Sequence, residues 1–357
     1  MKKWCIAAAL ACTTGAWAQS NVTLSGIADA YAGSIRMAGD GRRTVLNSGG
    51  MSTSYFGFSG VEDLGGGLKA GFVLGAFFRV DAGEIGRFNG DNYFARDSNV
   101  YLSGAFGKLS LGRSMAPNFL PTALFNPLGD SFTFSPLILH SAVSAAGWGY
   151  TTNPSDTGWS NQVVYSTPTF GGFRANLHYQ FGEQTTVGYR GRNNHGIDVW
   201  YGSGPLALVA YYERAQIANP AGTSLITGGD TRKSWMLGAT YDFEWAKFFL
   251  TYGEAKRELT QEDFDTVQLG VSVPIGAGKL AASVAQTRRK VPLYLEWTLL
   301  PGWEFPWGED RSKRTTATVG YDYFLSKRTD VYANLMHDRA TAVSSGTSYG
   351  VGIRHRF

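Results

Sequence analysis

Cysteine is nearly absent from this 357-residue sequence, and the two that occur, Cys5 and Cys12, both lie near its start. The opening residues have the build of an export signal. Lys2 and Lys3 give a positive region, Trp4 to Ala11 a short apolar core, and Ala16-Trp17-Ala18 a small-x-small cleavage site before Gln19. Leu10-Ala11-Cys12 offers a rival reading as a lipoprotein site. Against it, Ala9 stands where a bulky aliphatic is expected, and the apolar core is very short. On the first reading residues 1–18 are a cleaved signal and residues 19–357 form the mature domain. That domain has no cysteine, which excludes a disulfide, a thiolate nucleophile and cysteine-ligated metal.

Long hydrophobic runs are also missing. No later stretch reaches the roughly 18 apolar residues that a transmembrane helix needs. Strong charge is missing too: the formal net charge is +4, and it falls to +2 without Lys2 and Lys3. So weak a bias gives no basic footprint for nucleic acid. By itself it fits a soluble or secreted all-β protein equally well. No paired His, Asp or Glu spacing suggests a metal site. Gly65-Gly66-Gly67 lacks the Lys-Ser/Thr ending of a phosphate loop, and no triad spacing suggests catalysis. The expectation is therefore no enzyme, no cofactor and no metal.

What is abundant is glycine and aromatic residues: Gly 46, Phe 22, Tyr 18 and Trp 10, against Pro 12. They are arranged with period two. Phe173, Ala175, Leu177, Tyr179 and Phe181 alternate with Arg174, Asn176, His178 and Gln180. Trp235, Leu237, Ala239, Tyr241 and Phe243 alternate with Met236, Gly238, Thr240 and Asp242. Sixteen such segments are expected, at roughly 21–33, 51–61, 67–79, 93–103, 107–114, 159–167, 172–182, 193–202, 204–214, 232–243, 245–256, 264–273, 278–288, 313–323, 328–338 and 346–357. A β-sandwich would alternate similarly. Here the polar face is often Gly, Thr, Asn or a charge, and aromatics gather near strand ends as in an interfacial girdle. An open sheet in lipid would leave backbone groups unpaired, so such a sheet must close. Short connections such as Gly65–Gly67 and Gly104–Gly107 alternate with longer ones, as at the periplasmic and extracellular ends of a barrel. Residues 115–158 and 289–312 are the two longest departures.

Several pieces, in order, carry a family resemblance. They are Val22-Thr23-Leu24-Ser25-Gly26-Ile27-Ala28-Asp29, the run from Tyr55 to Ala70, the run from Leu102 to Arg113, the run from Gly320 to Thr329, and Gly352-Ile353-Arg354-His355-Arg356-Phe357. Together they resemble the Gram-negative general porins of β-proteobacterial type. The resemblance implies an all-β, 16-stranded antiparallel transmembrane β-barrel with an inward-folded third extracellular loop, assembled as a homotrimer in the outer membrane. It implies passive diffusion of small hydrophilic solutes and ions. Residues 115–158, rich in Phe and Pro around Asp130, would be the constriction loop. A surface-folded loop is the competing reading.

Family constrictions set wall arginines and lysines against loop carboxylates, and this chain keeps part of that pattern. Arg113 matches a wall arginine, although an anchor for the loop suits it as well. Tyr55 and Ser59 stand where arginine and lysine are common, and Gly158–Asn161 lacks an expected arginine. Lys69, Asp97, Asn99 and Tyr101 face the lumen by parity, and Asp130 is the sole acid between Pro117 and Tyr150. Arg174, His178, Arg354 and Arg356 share the lumen parity, as wall charges or near the periplasmic rim. A weakened basic strip fits a general pore, and the alternative is a pore selective for small aromatic or organic-acid solutes. Residues 292–307 hold three tryptophans between Arg288-Arg289-Lys290 and Arg311–Arg314. This segment suits either a solute vestibule or contact with lipid and lipopolysaccharide, whose phosphates the basic clusters would pair.

Phe357 ends an alternating strand and resembles the signal read by the outer-membrane assembly machinery; lipid-facing packing is compatible with that role. Deleting Phe357 should lower the amount of inserted protein in outer-membrane fractions while leaving the reversal potential of assembled channels unchanged. Normal insertion would reject the signal role.

Overall fold

The computed structural model describes residues 21–142, 157–183, 193–218, 230–259, 261–292 and 309–357. The expected signal (1–18), the end of the 115–158 loop and the tryptophans of 292–307 lie outside the described residues, apart from residues 157 and 158 of the loop. The chain runs through β1 (Asn21–Ile35), β2 (Arg43–Ser48), β3 (Tyr55–Gly65), β4 (Leu68–Arg79), β5 (Glu84–Ile85), β6 (Asp97–Gly104) and β7 (Gly107–Met115). Two short helices follow, α1 (Phe119–Leu124) and α2 (Pro136–Ala142). Then come β8 (Gly158–Ser166), β9 (Phe173–Gln180), β10 (His195–Ser203), β11 (Leu206–Ala218), β12 (Asp230–Asp242) and β13 (Lys247–Arg257). The last five are β14 (Asp263–Ile275), β15 (Gly278–Pro292), β16 (Glu309–Phe324), β17 (Thr329–Ala340) and β18 (Gly346–Arg356).

The sheet holds 18 strands, and setting aside the short pieces β2 and β5 leaves the 16 that build the wall. Every pairing is antiparallel between chain neighbours, and the last strand returns to the first. β1 pairs with β18 from Ile27↔Arg356 to Ser34↔Tyr349. The closure is completed by the terminal residue. The Gly26 amide donates to the Phe357 carbonyl at 2.9 Å, and the Phe357 amide donates to the Gly26 carbonyl at 3.1 Å. Only glycine fits at position 26, where a Cβ would lie 2.5 Å from the Phe357 ring. Closure leaves no open edge in the membrane, which is the requirement lipid imposes on a sheet.

Alternation is realised as expected. Leu237, Leu269, Val319, Leu335 and Val351 are exposed on the outer face, while Met236, Gln268, Thr318 and Met336 between them are buried on the inner one. The expected boundaries hold to within four residues, and the late start of β3 has an identifiable cause. The segment expected from residue 51 enters the sheet only at Tyr55. Residues 50–52 instead wrap the Asp29 carboxylate. Gly50 N donates to Oδ1 at 3.1 Å, and Met51 N and Ser52 N donate to Oδ2 at 2.9 and 2.8 Å. The Tyr332 hydroxyl adds another bond to Oδ1. A buried carboxylate with this many donors outcompetes the ladder that those residues would otherwise join. Gly65, Gly66 and Gly67 all take positive φ (85°, 60° and 82°), which makes the tight turn between β3 and β4 a glycine turn.

Asp29→Ala strands three buried amides and a hydroxyl. It should destabilise the barrel by about 3 kcal/mol in urea titrations, with Asp29→Asn costing less, because buried donors that lose a charged partner forfeit on the order of 1–3 kcal/mol each before relaxation. Equal midpoints for wild type and Asp29→Ala would refute this assignment.

Candidate functional site

The segment from Pro117 to Ser141 carries many apolar side chains, and these meet inward residues of the wall. Phe125 and Leu137 pack with Trp200, Val209, Tyr211 and Met236. Leu128, Phe134 and Leu139 pack with Tyr31, Met51, Ala281, Tyr332 and Met336. The wall makes room with glycine. A Cβ at Gly196 would meet Pro117 at 2.6 Å, one at Gly238 Phe125 at 2.9 Å, one at Gly270 Pro127 at 2.6 Å, and one at Gly350 Phe134 at 2.9 Å. These four inward glycines are spread from β10 to β18.

Polar ties fix the same segment. At its start, Asn118 Nδ2 donates to Glu213 Oε1 at 2.9 Å. In its middle, Ser131 Oγ donates to the Gly50 carbonyl at 2.6 Å, and Thr133 Oγ1 to the Gly49 carbonyl at 3.0 Å. At its end, His140 is clamped between two wall threonines, Nδ1 to Thr287 Oγ1 and Nε2 to Thr316 Oγ1, both at 2.8 Å. Arg314 Nη1 donates to the Leu139 carbonyl at 3.2 Å, and its Nε donates to Asp338 Oδ1 at 3.0 Å.

The sequence-derived residues fall into separate groups. Tyr55 and Ser59 lie on β3 opposite Phe77 and Val73. Arg96, which parity did not single out, stacks its guanidinium on Tyr55 at 4.0 Å and pairs with Asp97 at 2.5 Å. Asn99 Nδ2 donates to the Arg113 carbonyl at 3.0 Å. Arg113 is only 8% exposed; its Nε donates to the Ala95 carbonyl at 2.5 Å and its Nη1 to Ser160 Oγ at 2.9 Å. Tyr101 lies beneath Lys108 Nζ at 4.2 Å, whereas Lys69 is exposed near the glycine turn. Tyr55, Asp97, Asn99 and Arg113 thus share one patch of β3, β6 and β7, with Arg96 as the link.

Asp130 belongs to another patch. It accepts from Ser52 Oγ at 3.0 Å, and Ser52 Oγ in turn accepts from Arg354 Nη1 at 2.9 Å. Burial pushes the Asp130 carboxyl above its usual range, against the lowering effects of the Ser52 hydrogen bond and of Arg354 and Arg96. Arg354 also binds Asp330 and Asp322, each at 3.0 Å, and Arg356 binds Asp330 at 2.5 Å. Arg354 is therefore a neutralised wall charge. His178 is held by Gln162 Oε1 at 2.8 Å and Asp198 Oδ2 at 2.7 Å, and Arg174 covers the Trp200 ring at 5.0 Å. Among the described residues no cluster of three or more His, Cys, Asp or Glu could hold a metal.

Sequence reasoning missed Arg96, Ser52 and His140. A partial signal existed for the ion pairs: Arg314 and Asp338 sit on neighbouring strands at inward parity, two residues apart in register. Nothing local marks Ser52 or His140, because their partners lie far along the chain.

A closed sheet of 16 spanning strands, apolar outside and polar inside, defines a transmembrane β-barrel of the Gram-negative outer membrane. The model of the Gram-negative porin family matches residues 6–342. The chain belongs to that family and is a multi-pass outer-membrane channel for passive diffusion, not an enzyme. It is 35% identical to outer membrane porin protein 32 of Delftia acidovorans, across 100% of both chains. It is 26% identical to an outer membrane porin protein of Bordetella pertussis, again across 100% of both. An anion-selective porin from Comamonas acidovorans superposes with a TM-score of 0.75 at 29% identity, covering 95% of this chain and 100% of the other. Among folds of lower identity, OmpT of Vibrio cholerae with its loop L8 deleted superposes at a TM-score of 0.70 and 17% identity, with 95% and 99% covered.

Burial, then the Arg314 charge, push His140 down to about 3, with Asp338 opposing. The unfolded chain, with an ordinary histidine near 6.5, then binds more protons than the folded one between about pH 6.5 and 3. Stability should fall as pH drops through that window, with a slope of at most about 1.4 kcal/mol per pH unit. Denaturant midpoints measured from pH 7 to 4 should show this slope, and His140→Gln should flatten it. An unchanged slope in His140→Gln would contradict this account of the clamp.

Proposed function

We propose that residues 115–158 are the constriction loop of a wide, weakly charge-selective diffusion pore that works as a homotrimer. The observation that carries this reading is the match of Pro117, Phe125, Pro127 and Phe134 to four inward wall glycines. A segment seated on the inner wall from β10 to β18 narrows the lumen that it crosses. Tyr55, Ser59, Lys69, Asp97, Asn99, Tyr101, Arg113 and Asp130 are the proposed constriction and lumen residues, with Arg174, His178, Arg354 and Arg356 on the wider wall. Neutralisation supports weak selectivity. Arg354 and Arg356 are bound to carboxylates, Arg96 to Asp97, and the half-buried Asp130 accepts from Ser52. Lys69 and Lys108 leave a modest basic excess on the same wall. That excess is a diluted form of the property stated for the Comamonas porin, which is described as anion-selective. Phe357, bonded across the seam to Gly26, is proposed as the residue that the insertion machinery reads.

One observation favours a second reading, selectivity for small aromatic or organic acids. Cation–ring pairs on the inner wall include Arg96 on Tyr55, Lys108 on Tyr101 and Arg174 on Trp200. Such pairs present a flat face and a positive edge to an aromatic carboxylate.

Purified channels in a planar bilayer under a salt gradient discriminate the two. A general pore gives large conductance in steps of three with a small anion-directed reversal potential, which Lys69→Gln and Lys108→Gln should move toward zero. Small conductance blocked saturably by benzoate would transfer the assignment to the selective pore. A strongly anion-selective potential would sink the weak-field reading.

A further inference from the structure

We propose that the space between the segment after β7 and the inner faces of β11–β14 is a binding site for one small monovalent anion of chloride size, held by Arg232. The inward arginines of β13, β15 and β16 all have carboxylates. Arg257 pairs with Asp230 at 2.6 Å and with Glu262 at 2.7 Å. Arg289 Nε donates to Glu262 Oε1 at 3.0 Å, and Arg314 Nε to Asp338 Oδ1 at 3.0 Å. Arg232 is the exception. It is only 3% exposed, its Nε is buried without a partner, and among the described residues its guanidinium makes no hydrogen bond or ion pair.

Register explains the isolation. Arg232 stands opposite Ala215 on β11 and Arg257 on β13. The first has no polar side chain, and the second is a cation already committed to Asp230 and Glu262. Glu213 lies one inward step along β11, opposite Ser234. Its Oε1 accepts from Asn118 Nδ2 at 2.9 Å and from Ser234 Oγ at 3.1 Å, and its Oε2 is buried with no partner. Glu213 and Arg232 attract one another without touching, so the guanidinium N–H groups stay unsatisfied.

Arg232 lines a cavity of about 30 Å³. Leu137, His140 and Ser141 border it from the loop side, and Tyr211, Thr251 and Thr266 from the wall. Among the described lining residues the only acid is Glu254, which sits at an outward position and accepts from the Tyr252 hydroxyl at 3.0 Å. The hydroxyls near the space are already engaged. Ser141 Oγ donates to the Leu137 carbonyl at 2.9 Å, and Thr251 Oγ1 to Gln268 Oε1 at 3.2 Å. Thr266 Oγ1 shares a hydrogen bond with Thr287 Oγ1 at 2.7 Å, and both ring nitrogens of His140 are held by threonines. Met236, Ala255 and Phe264 add apolar wall. A lone guanidinium is costly to bury in such surroundings, where its charge is felt strongly. A water molecule could accept from it but would leave the charge. A halide accepts the same charge-assisted hydrogen bonds and cancels the charge. The volume suits one such ion. With the loop segment on one side and the wall on the other, the ion tethers the two through Arg232.

The inference rests on the seating of Pro117–Ser141 against the wall and not on the proposed pore selectivity. The full-length oligomer is purified in detergent with gluconate as the anion, which is too large for the cavity. Crystals are then soaked in sodium bromide and measured at the bromine absorption edge. An anomalous peak at hydrogen-bond distance from the Arg232 guanidinium is expected. Density there without anomalous signal identifies a water and overturns the proposal. In solution, replacing gluconate by chloride at constant ionic strength should raise the thermal midpoint saturably. It should also slow hydrogen exchange in residues 137–141 by about ten-fold. Arg232→Met keeps side-chain length and removes the charge, and it should abolish both chloride effects. Glu213→Gln removes a competing acid, and it should keep or strengthen them. No chloride response in wild type rejects the site, as does an equal response in Arg232→Met or a weaker one in Glu213→Gln. Should Arg232→Met fail to fold, bromide scattering from the wild type still decides.

Discussion

Everything in this molecule depends on one constraint: a backbone amide in hydrocarbon has no water to bond. A sheet meets that demand only when its last strand pairs with its first. Here the seam runs along β1 and β18 and ends at the reciprocal hydrogen bonds between Gly26 and Phe357. Closure fixes which residues face outward and which inward. The outer face can then be apolar without penalty, because its solvent is lipid. The inner face takes the polar residues, and its chemistry becomes the chemistry of the channel.

Closure also concentrates charge. Inward arginines on neighbouring strands would repel one another inside a confined lumen. The wall answers with carboxylates at matching register: Arg354 with Asp322 and Asp330, Arg314 with Asp338, Arg289 with Glu262. These pairs cost desolvation, so they support specificity of packing as much as stability. They leave few uncompensated charges to set a field.

The segment after β7 is held by two kinds of fit at once. Rings of Pro and Phe fill the space that wall glycines vacate, and hydrogen bonds from Asn118, Ser131, Thr133 and His140 fix its course. A peptide without regular hydrogen bonding can be buried only when such ties satisfy its polar groups. His140 illustrates the cost: clamped between two threonines and close to Arg314, it is held neutral far below the usual histidine range.

Period-two alternation determined much from the sequence alone. Side-chain direction in a strand follows parity, so the order of residues by itself puts Leu237 and Val351 outside, and Asn99 and Arg354 inside. The even number of segments, the glycine turns and the aromatic ends followed from the same local rules. Distance along the chain hid the rest. Asp29 gathers the amides of residues 50–52 and thereby delays β3. Asp130 meets Arg354 through Ser52, with 302 positions separating Ser52 from Arg354. Arg96 stacks on Tyr55 from an adjoining connection. Local preference carries no information about such meetings. They arise only when the barrel closes and the segment between β7 and β8 packs against strands that are made much later in the chain.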